Sequence, residues 1–181
     1  MEDIKKTKAN LEKQSQRSVK FVTDITDGMA YQKVVGKMSL IESDLNLTAT
    51  FNTDGINLYS SSKIELWPIF LAINELSPSL RFARENIILA GIWQGKGKPP
   101  FHRFVGTFGK EMNKLSNNGF TVSIGSKSSI VKVSIVCATV DLPAKAELLN
   151  MMYYNGKCAC ITCDEKGKVS KQGRGHAMTF P

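Results

Sequence analysis

The sequence lacks any uninterrupted apolar run that approaches the roughly 18 to 20 residues needed by a membrane-spanning helix. Its opening segment, MEDIKKTKAN, also lacks the hydrophobic core of a secretory signal. We therefore expect an intracellular protein with no membrane partner. Internal repeats and low-complexity tracts are missing too, which excludes solenoids and repeat arrays.

Cysteine is scarce and unevenly distributed, with four residues in the chain. Cys158, Cys160 and Cys163 are clustered, whereas Cys137 stands alone in an apolar run. This distribution does not suit a disulfide framework, which needs several separated pairs. Clustered cysteines favour a metal site instead.

The charge is unbalanced, with 24 Lys plus Arg against 16 Asp plus Glu and a net charge of +8. Such an excess favours a polyanionic partner, nucleic acid first, although solubility alone would also explain it. The 42% hydrophobic content and the length of 181 residues are typical of one globular domain with a packed core.

The apolar pattern of the first half predicts strands. Residues 45 to 51 alternate apolar and polar side chains, which is the period of a half-buried strand, and this strand stops at Asp54. The Asp54-Gly55 pair predicts a tight hairpin to a second strand over 56–61. Apolar runs over 66–76 and 86–95 predict further strands, and 24–36 predicts a short helix.

The second half predicts helices around a buried strand. Large apolar residues between Phe101 and Leu115 recur at spacings of three and four, which predicts an amphipathic helix that ends near 117–119. A strand over 120–125 follows. The apolar run 129–140 predicts one central strand, buried on both faces, that leads to Asp141. Residues 142–154 predict a second helix, which Gly156 ends.

Two carboxylates stand where predicted strands end. Asp54 and Asp141 are 87 residues apart, so only folding can bring them together. If their strands are neighbours in one sheet, both side chains lie at the same edge, as a two-metal phosphoryl-transfer site requires. Their oxygen ligands suit Mg²⁺ or Mn²⁺. The alternative is ordinary turn chemistry at Asp54 and helix capping at Asp141.

A longer pattern connects these residues to a known family. The text NTDGINLYSSSKIELWPIFLAINELSPSLRFARENIILAGIWQGKGKP resembles the transposase family of CACTA (En/Spm-type) DNA elements, the Tnp2-like family. The later text DLPAKAELLNMMYYNGKCACITC is similar to that family's Asp-x-Pro-Ala helix, Asn-Gly and Cys-x-x-Cys pair, and the tail GHAMTFP loosely matches its closing segment. The resemblance covers about residues 24–181.

The resemblance implies an α/β fold: an RNase H-like mixed sheet with flanking helices, incomplete at its C-terminus. It implies metal-dependent cleavage of phosphodiester bonds and strand transfer, catalysed by three acidic residues. The DNA partners would be the ends of the element and the target DNA. Asp54 and Asp141 match the first two acids, with Mg or Mn as cofactor. The third has no match, since neither Glu147 nor Glu165 lies where the family places it. We therefore expect a fragment that is inactive alone. By analogy with the family we expect it to be nuclear, and it could form homo-oligomers.

The cysteine cluster predicts a second metal site. Cys160-x-x-Cys163 has the spacing of a zinc knuckle, and His176 follows after twelve intervening residues. The family match favours zinc on Cys160, Cys163 and His176, with Cys158 as a candidate fourth ligand. Reduced cysteines are the alternative. We accordingly divide the chain into a polar, Lys-rich arm (1–23), a transposase core (24–157) and the start of a Cys/His insertion (158–181).

A basic face beside the predicted acidic site could meet DNA phosphates, although solvated charge explains it equally well. Its members are Lys96, Lys98, Arg103, Lys110 and Lys114. Two other functions remain open. One is a non-catalytic DNA- or protein-binding module derived from a transposase, and the other is a zinc-stabilised interaction domain. We interpret His102 as a surface or capping residue, and Trp67 and Trp93 as core.

Overall fold

A five-stranded mixed sheet organises the chain in a computed structural model, which describes residues 4–6, 8–9, 22–37, 45–58, 63–163 and 165–180. The strands are β1 Leu47–Thr53, β2 Ile56–Asn57, β3 Ile64–Ile73, β4 Ile88–Lys96, β5 Phe120–Ile124, β6 Lys127–Val131, β7 Val133–Thr139, β8 Lys168–Gln172 and β9 Gly175–Thr179. The helices are α1 Met29–Lys37, α2 Pro78–Arg81, α3 Phe101–Asn117 and α4 Leu142–Leu149, with 3-10 turns at Ile25–Asp27 and Arg84–Asn86.

The sheet has both antiparallel and parallel neighbours. Strand β3 pairs antiparallel with β1, β2 and β4, and β7 lies parallel to β1 on its other side. Helix α3 connects β4 to the β5–β6 hairpin that precedes β7. The predicted α/β class with a mixed sheet and flanking helices is thus confirmed.

One face of the sheet packs against α3 and α4. Ala49 and Leu71 form a buried cluster with Met112 of α3, and the rings of Phe51 and Phe108 lie 5.3 Å apart between centroids. Trp67 meets Phe101 edge-on, with 5.2 Å between ring centroids. These contacts bury the apolar stripe of α3 that the spacing of three and four predicted. Trp93 packs beside Trp67, which confirms both tryptophans as core residues.

The beginning of β1 is held by a buried polar network. The Glu75 carboxylate accepts hydrogen bonds from the Thr48 backbone N–H at 2.9 Å, the Thr48 hydroxyl at 2.8 Å and the Tyr31 hydroxyl at 2.9 Å. Burial, followed by the neighbouring Glu75 charge, raises the pKa of Tyr31 far above its ordinary range, so the hydroxyl stays protonated and donates. Asn74 also donates to the Thr48 hydroxyl.

Arg81 extends this network. Although it is only 4% exposed, it donates to both carboxylate oxygens of Asp24 at 2.6 Å and to the backbone carbonyls of Asn74 and Leu76. The guanidinium hydrogen bond holds the pKa of Asp24 below its ordinary value. In the sequence, Arg81 only begins a charged stretch, RFARE, between two apolar runs.

The predicted hairpin at Asp54-Gly55 is wrong. Strand β2 pairs with β3 in the same register as β1 does, so it continues the line of β1 instead of folding back on it. The turn types of two-residue hairpins need positive φ, and Gly55 is not among the residues with positive φ. Gly55 serves close packing instead, because a Cβ there would lie 2.7 Å from the Trp67 indole.

The predicted single strand over 129–140 is also wrong. Lys132 divides it: β6 pairs with β5 in a separate hairpin, while β7 joins the main sheet. At this junction the Lys132 carbonyl accepts from the Leu47 backbone N–H, and the Lys132 N–H donates to the Asn46 side chain. Strand β7 pairs with β1 alone among the described strands, and its burial falls off from Val133 to the exposed Thr139.

The helix predicted over 142–154 ends early, at Leu149. Asn150 adopts the left-handed conformation, with φ 50° and ψ 46°, and its N–H bonds back to the carbonyls of Ala146 and Glu147. Asparagine tolerates this conformation better than most residues. The short helix over 24–36 is confirmed as the first 3-10 turn and α1.

The N-terminal arm is described only at residues 4–6 and 8–9, which are helical. Lys8 donates to the backbone carbonyl of Asn46 at 2.8 Å, so this part of the arm meets the chain just before β1. Across the described ranges, the helices are all too short or too polar to cross a membrane.

Candidate functional site

Asp54 and Asp141 lie at the same edge of the sheet. Asp54 follows the last residue of β1, and Asp141 follows β7 after one intervening residue. The two strands are parallel neighbours, and their register pairs Asn52 with Thr139. Asp54 lies two residues after Asn52, and Asp141 lies two residues after Thr139, so each follows the last pair of this register by the same number of residues. The strand arrangement required by the sequence hypothesis is therefore present.

Both carboxylates are exposed and use one oxygen in the same way. Oδ1 of Asp54 accepts the Gly55 backbone N–H at 2.7 Å, and Oδ1 of Asp141 accepts the Ala144 N–H at 2.7 Å. Within the described ranges, Oδ2 of each residue has no hydrogen-bond donor. Each carboxylate is thus oriented by its own backbone and keeps one oxygen available to a cation.

The strand ends beside these carboxylates are fastened together. The side-chain amide of Asn52 donates to the backbone carbonyl of Thr139, across the gap between β1 and β7. This side chain did not appear among the sequence candidates. Its signal was its position, because it is the polar residue two positions before Asp54 in a strand that alternates.

Asp141 also caps α4. Its backbone is extended, with φ −68° and ψ 169°, and its side chain accepts from the third residue of the helix, as an N-cap does. The capping alternative therefore holds for Asp141. Capping uses one carboxylate oxygen and leaves the other, so the two roles are compatible.

The predicted basic face is only partly free. Arg103, Lys110 and Lys114 share one side of α3, since they are spaced by seven and four residues. Lys114 pairs with Glu111 at 2.7 Å. In the part of the chain that the structure describes, Lys96, Arg103 and Lys110 have no carboxylate partner.

Lys98 is exposed but is engaged by two other side chains of the protein. It donates to the Tyr153 hydroxyl at 2.7 Å and to Glu147 at 3.3 Å, and Tyr153 also donates to Glu147. The Tyr153 hydrogen bond is the main cause that raises the pKa of Lys98 and lowers the pKa of Glu147. This triad ties the loop before α3 to the end of α4.

The structure brings two of the three predicted zinc ligands together. The sulfurs of Cys160 and Cys163 are 3.3 Å apart, and Cys160 Sγ also accepts the backbone N–H groups of Thr162 and Cys163. The Thr162 N–H, followed by that of Cys163, lowers the pKa of Cys160, which favours the thiolate that binds metals. His176 lies on β9 opposite Lys171.

Among the described residues, the number of side chains that could share one metal ion limits both candidate metal sites. Within these ranges, no three His, Cys, Asp or Glu side chains are placed so that they could hold one metal ion. The Asp54–Asp141 edge and the Cys160–Cys163 turn are thus pairs. His102, at the start of α3, is exposed, which agrees with its interpretation as a surface residue.

The fold and this site define a mixed α/β domain with two carboxylates where two parallel strands end. The model of the transposase family tnp2 matches residues 21–180, nearly the whole chain. The chain therefore belongs to this transposase family, and the family points to DNA as a partner. No curated protein and no solved structure matched the chain.

Proposed function

We propose that this transposase-derived domain supplies two carboxylates, Asp54 and Asp141, of an RNase H-like, metal-dependent site for phosphodiester cleavage and strand transfer, of the CACTA (En/Spm) type. The observation that carries the proposal is the parallel pairing of β1 with β7, which ends both strands at one edge. The antiparallel strands β1, β3 and β4, followed by α3 and a parallel β7, agree with an RNase H-like sheet.

The donor set at this edge fits a hard divalent cation. Both residues are exposed carboxylates, and each keeps Oδ2 without a described donor. Oxygen ligands of this kind suit Mg²⁺ or Mn²⁺. When bound, such an ion would supply Lewis-acid polarisation of a phosphate and a more acidic water.

Other groups of the chain would orient the two carboxylates and position the strand ends that carry them. Gly55 N–H and Ala144 N–H fix the rotation of the two carboxylates, and the amide of Asn52 holds the strand ends together. Fixed carboxylates lose little freedom when they bind a cation, which strengthens binding. Asp54 and Asp141 would thus act as ligands, and Asn52 as a positioning residue.

We propose further that this chain alone does not cleave DNA. Two of the three acids implied by the family resemblance are matched, and the described residues hold no three-ligand group. A pair of carboxylates binds a divalent cation more weakly than a complete site. Because of this, the second candidate function is a non-catalytic DNA-binding module that keeps the fold and the basic side of α3.

Manganese binding tests the carboxylate pair directly. Electron paramagnetic resonance titration of the full chain with Mn²⁺ should detect one bound ion, weakened at least tenfold in Asp54→Asn and in Asp141→Asn. Glu85→Gln removes another exposed carboxylate, on the second 3-10 turn, and should leave binding unchanged. Equal affinity in all four proteins would overturn the site.

A nicking assay separates the two candidate functions. Supercoiled plasmid with Mg²⁺ and the purified 181-residue chain should remain intact, while duplex DNA is bound in a salt-sensitive manner. Mg²⁺-dependent nicking that disappears in Asp54→Ala would contradict the proposed inactivity of the chain alone. If the folded, unaltered chain does not bind duplex DNA, DNA is not its partner.

We also propose that Cys160 and Cys163 bind zinc as thiolates. Their sulfurs lie 3.3 Å apart on a tight turn, and Zn–S bonds of about 2.3 Å to one tetrahedral ion would spread them to about 3.8 Å. The pKa of Cys160 is lowered, whereas that of Cys163 is raised, so Cys160 is the thiol that loses its proton more readily. His176 or Cys158 would have to complete the site. Metal analysis of the purified chain should find close to one zinc per chain, and less than half as much in Cys163→Ser. A zinc content far below one in the unaltered protein would remove this proposal.

A further inference from the structure

The β8–β9 hairpin (168–179) carries a one-sided charge. Lys168, Lys171 and Arg174 lie within seven residues, and the sequence from 166 to 181 contains no Asp or Glu. In the described part of the chain, none of these three cations has a carboxylate partner. All three are exposed. Their charge is therefore available to a ligand.

The β5–β6 hairpin offers an internal comparison. Both hairpins have two five-residue strands and a turn that contains a glycine with positive φ, Gly125 in one and Gly173 in the other. Over 120–131, however, the β5–β6 hairpin has Lys127 as its single cation. Hairpin geometry by itself does not demand the basic residues of β8–β9.

The three cations surround the ribbon. Residues opposite one another in an antiparallel pair share a face, so Lys171 and His176 lie on one face. Lys168, opposite Thr179, lies on the other face, because it is an odd number of residues from Lys171. Arg174 stands in the turn. Positive charge on both faces and at the tip suits a ligand that encloses the ribbon with negative charge.

We infer that the β8–β9 hairpin is a duplex-DNA-binding ribbon that enters the major groove, with Lys168 and Lys171 toward the phosphates of the two groove walls and Arg174 toward the base edges. This inference rests on the proposed DNA partner. The major groove is about 12 Å wide, which admits a two-stranded ribbon. It is about 8.5 Å deep, whereas a five-residue strand is roughly 17 Å long, so the ribbon is longer than the groove is deep.

The root of the hairpin is closed by a backbone contact. The Gly167 N–H donates to the Lys157 carbonyl at 2.8 Å, which closes a loop over 157–167 that contains the clustered cysteines. Met178 packs over Gly167 so closely that a Cβ there would lie 2.7 Å from its side chain. The ribbon is thus anchored at its base, which lowers the cost of ordering it on DNA.

Salt-dependent binding of the full chain to a duplex oligonucleotide, measured by fluorescence anisotropy, tests the inference. Each lost phosphate contact reduces the magnitude of the slope of log K against log salt by about 0.9, so Lys168→Gln/Lys171→Gln/Arg174→Gln, which removes the two proposed phosphate contacts, should reduce it by about 1.8. Between 50 and 200 mM salt, the affinity of the unaltered protein should then fall about 12-fold more than that of this variant.

Two controls accompany the triple variant. Lys168→Arg/Lys171→Arg/Arg174→Lys conserves charge and should keep most of the slope. Lys127→Gln, on the matched hairpin, should change nothing, whereas Lys171→Gln alone should lower the slope by about 0.9. Circular dichroism of each variant should match the unaltered protein, because every altered side chain is exposed.

The outcomes separate this inference from the proposed function. If unaltered protein binds duplex DNA and the triple variant keeps its affinity and slope, the hairpin inference is wrong and the DNA partner stands. If unaltered protein shows no salt-dependent duplex binding, the proposed DNA partner fails and the inference with it. Hairpin-dependent binding to single-stranded RNA or to anionic vesicles, in place of the duplex, would also overturn it.

Discussion

Asp141 is both the N-cap of α4 and a proposed metal ligand, and two substitutions separate these roles. Asp141→Asn keeps a side-chain oxygen that can accept the Ala144 N–H, now held at 2.7 Å, but it removes the negative charge. Asp141→Ala removes both the cap and the charge. We expect metal binding to be lost in both variants and stability to fall in Asp141→Ala alone.

The expected changes in Tm follow from the loss of the helix cap and from the stabilisation that a bound Mn²⁺ gives the folded chain. Loss of an N-cap costs about 1 kcal/mol, and a domain of this size loses roughly 2 to 4 °C of Tm per kcal/mol. Mn²⁺ at ten times its Kd stabilises the folded chain by about 1.4 kcal/mol, or about 3 to 5 °C. Asp141→Asn should therefore melt within about 1 °C of the unaltered protein without metal, and it should lack the Mn²⁺ shift.

Differential scanning fluorimetry with and without Mn²⁺, at ten times the Kd of the unaltered protein, provides the measurement. Asp141→Ala should melt about 2 to 4 °C below the unaltered protein without Mn²⁺, and about 5 to 9 °C below it with Mn²⁺, because the variant also lacks the Mn²⁺ shift. A full Mn²⁺ shift in Asp141→Asn would refute the reasoning, since Asp141 would then be a helix cap and nothing more. Asp54→Asn serves as the parallel variant, because it should lose the Mn²⁺ shift without the loss of a helix cap.

Three further predictions concern stability. Asp24 has a lowered pKa, so its pair with Arg81 stabilises the folded chain fully above the ordinary pKa of about 3.9. This stabilisation is lost as the pH falls through the lower pKa of the folded state. Urea unfolding below about pH 4 should therefore show a decline in the free energy of unfolding, and the decline should be smaller in Asp24→Asn. Thr53→Val should raise the free energy of unfolding by about 1 kcal/mol in urea, because the buried Thr53 hydroxyl has no described hydrogen-bond partner; a decrease would mean that a partner was lost. Gly55→Ala should lower the free energy of unfolding by about 1 to 3 kcal/mol in the same assay, since its Cβ would meet the Trp67 ring at 2.7 Å; an unchanged value would show that Trp67 moves freely.

Elements with a clear local period were predictable from the sequence. The alternation over 45–51 predicted β1, and the recurrence of apolar residues from Phe101 to Leu115 predicted α3. Both patterns reflect which side of an element is buried, and that is written along the chain. Cys160 and Cys163 were likewise predictable as a pair, because three residues of a tight turn bring their sulfurs together.

Features that depend on pairing were not predictable in this way. Asp54-Gly55 resembles a hairpin turn, yet Gly55 is required by the Trp67 ring, which belongs to another strand. The run over 129–140 resembles one strand, yet its halves pair with different partners on either side of Lys132. Such partners lie far away in sequence, so the apolar pattern carries no information about them.

The candidate site shows the same division. That Asp54 and Asp141 each follow a strand was readable from local pattern, but their placement at one edge depends on β7 being the parallel neighbour of β1. The spacing of His176 predicts a third zinc ligand, and this stays a prediction; the residue lies opposite Lys171 in the β8–β9 hairpin. Arg81 was missed because a single charged residue in a polar stretch does not reveal that it will be buried.

The polar network at the beginning of β1 has a consequence at the other end of the strand. Hydrogen bonds from Thr48 to Glu75 and from Asn74 to Thr48 permit one alignment of β1 against β3. A slip by one residue would turn every side chain of β1 to the opposite side of the sheet, Asp54 included. Thr48 lies six residue steps, or about 20 Å, before Asp54 along the chain, so its bonds to Glu75 influence on which side that carboxylate emerges.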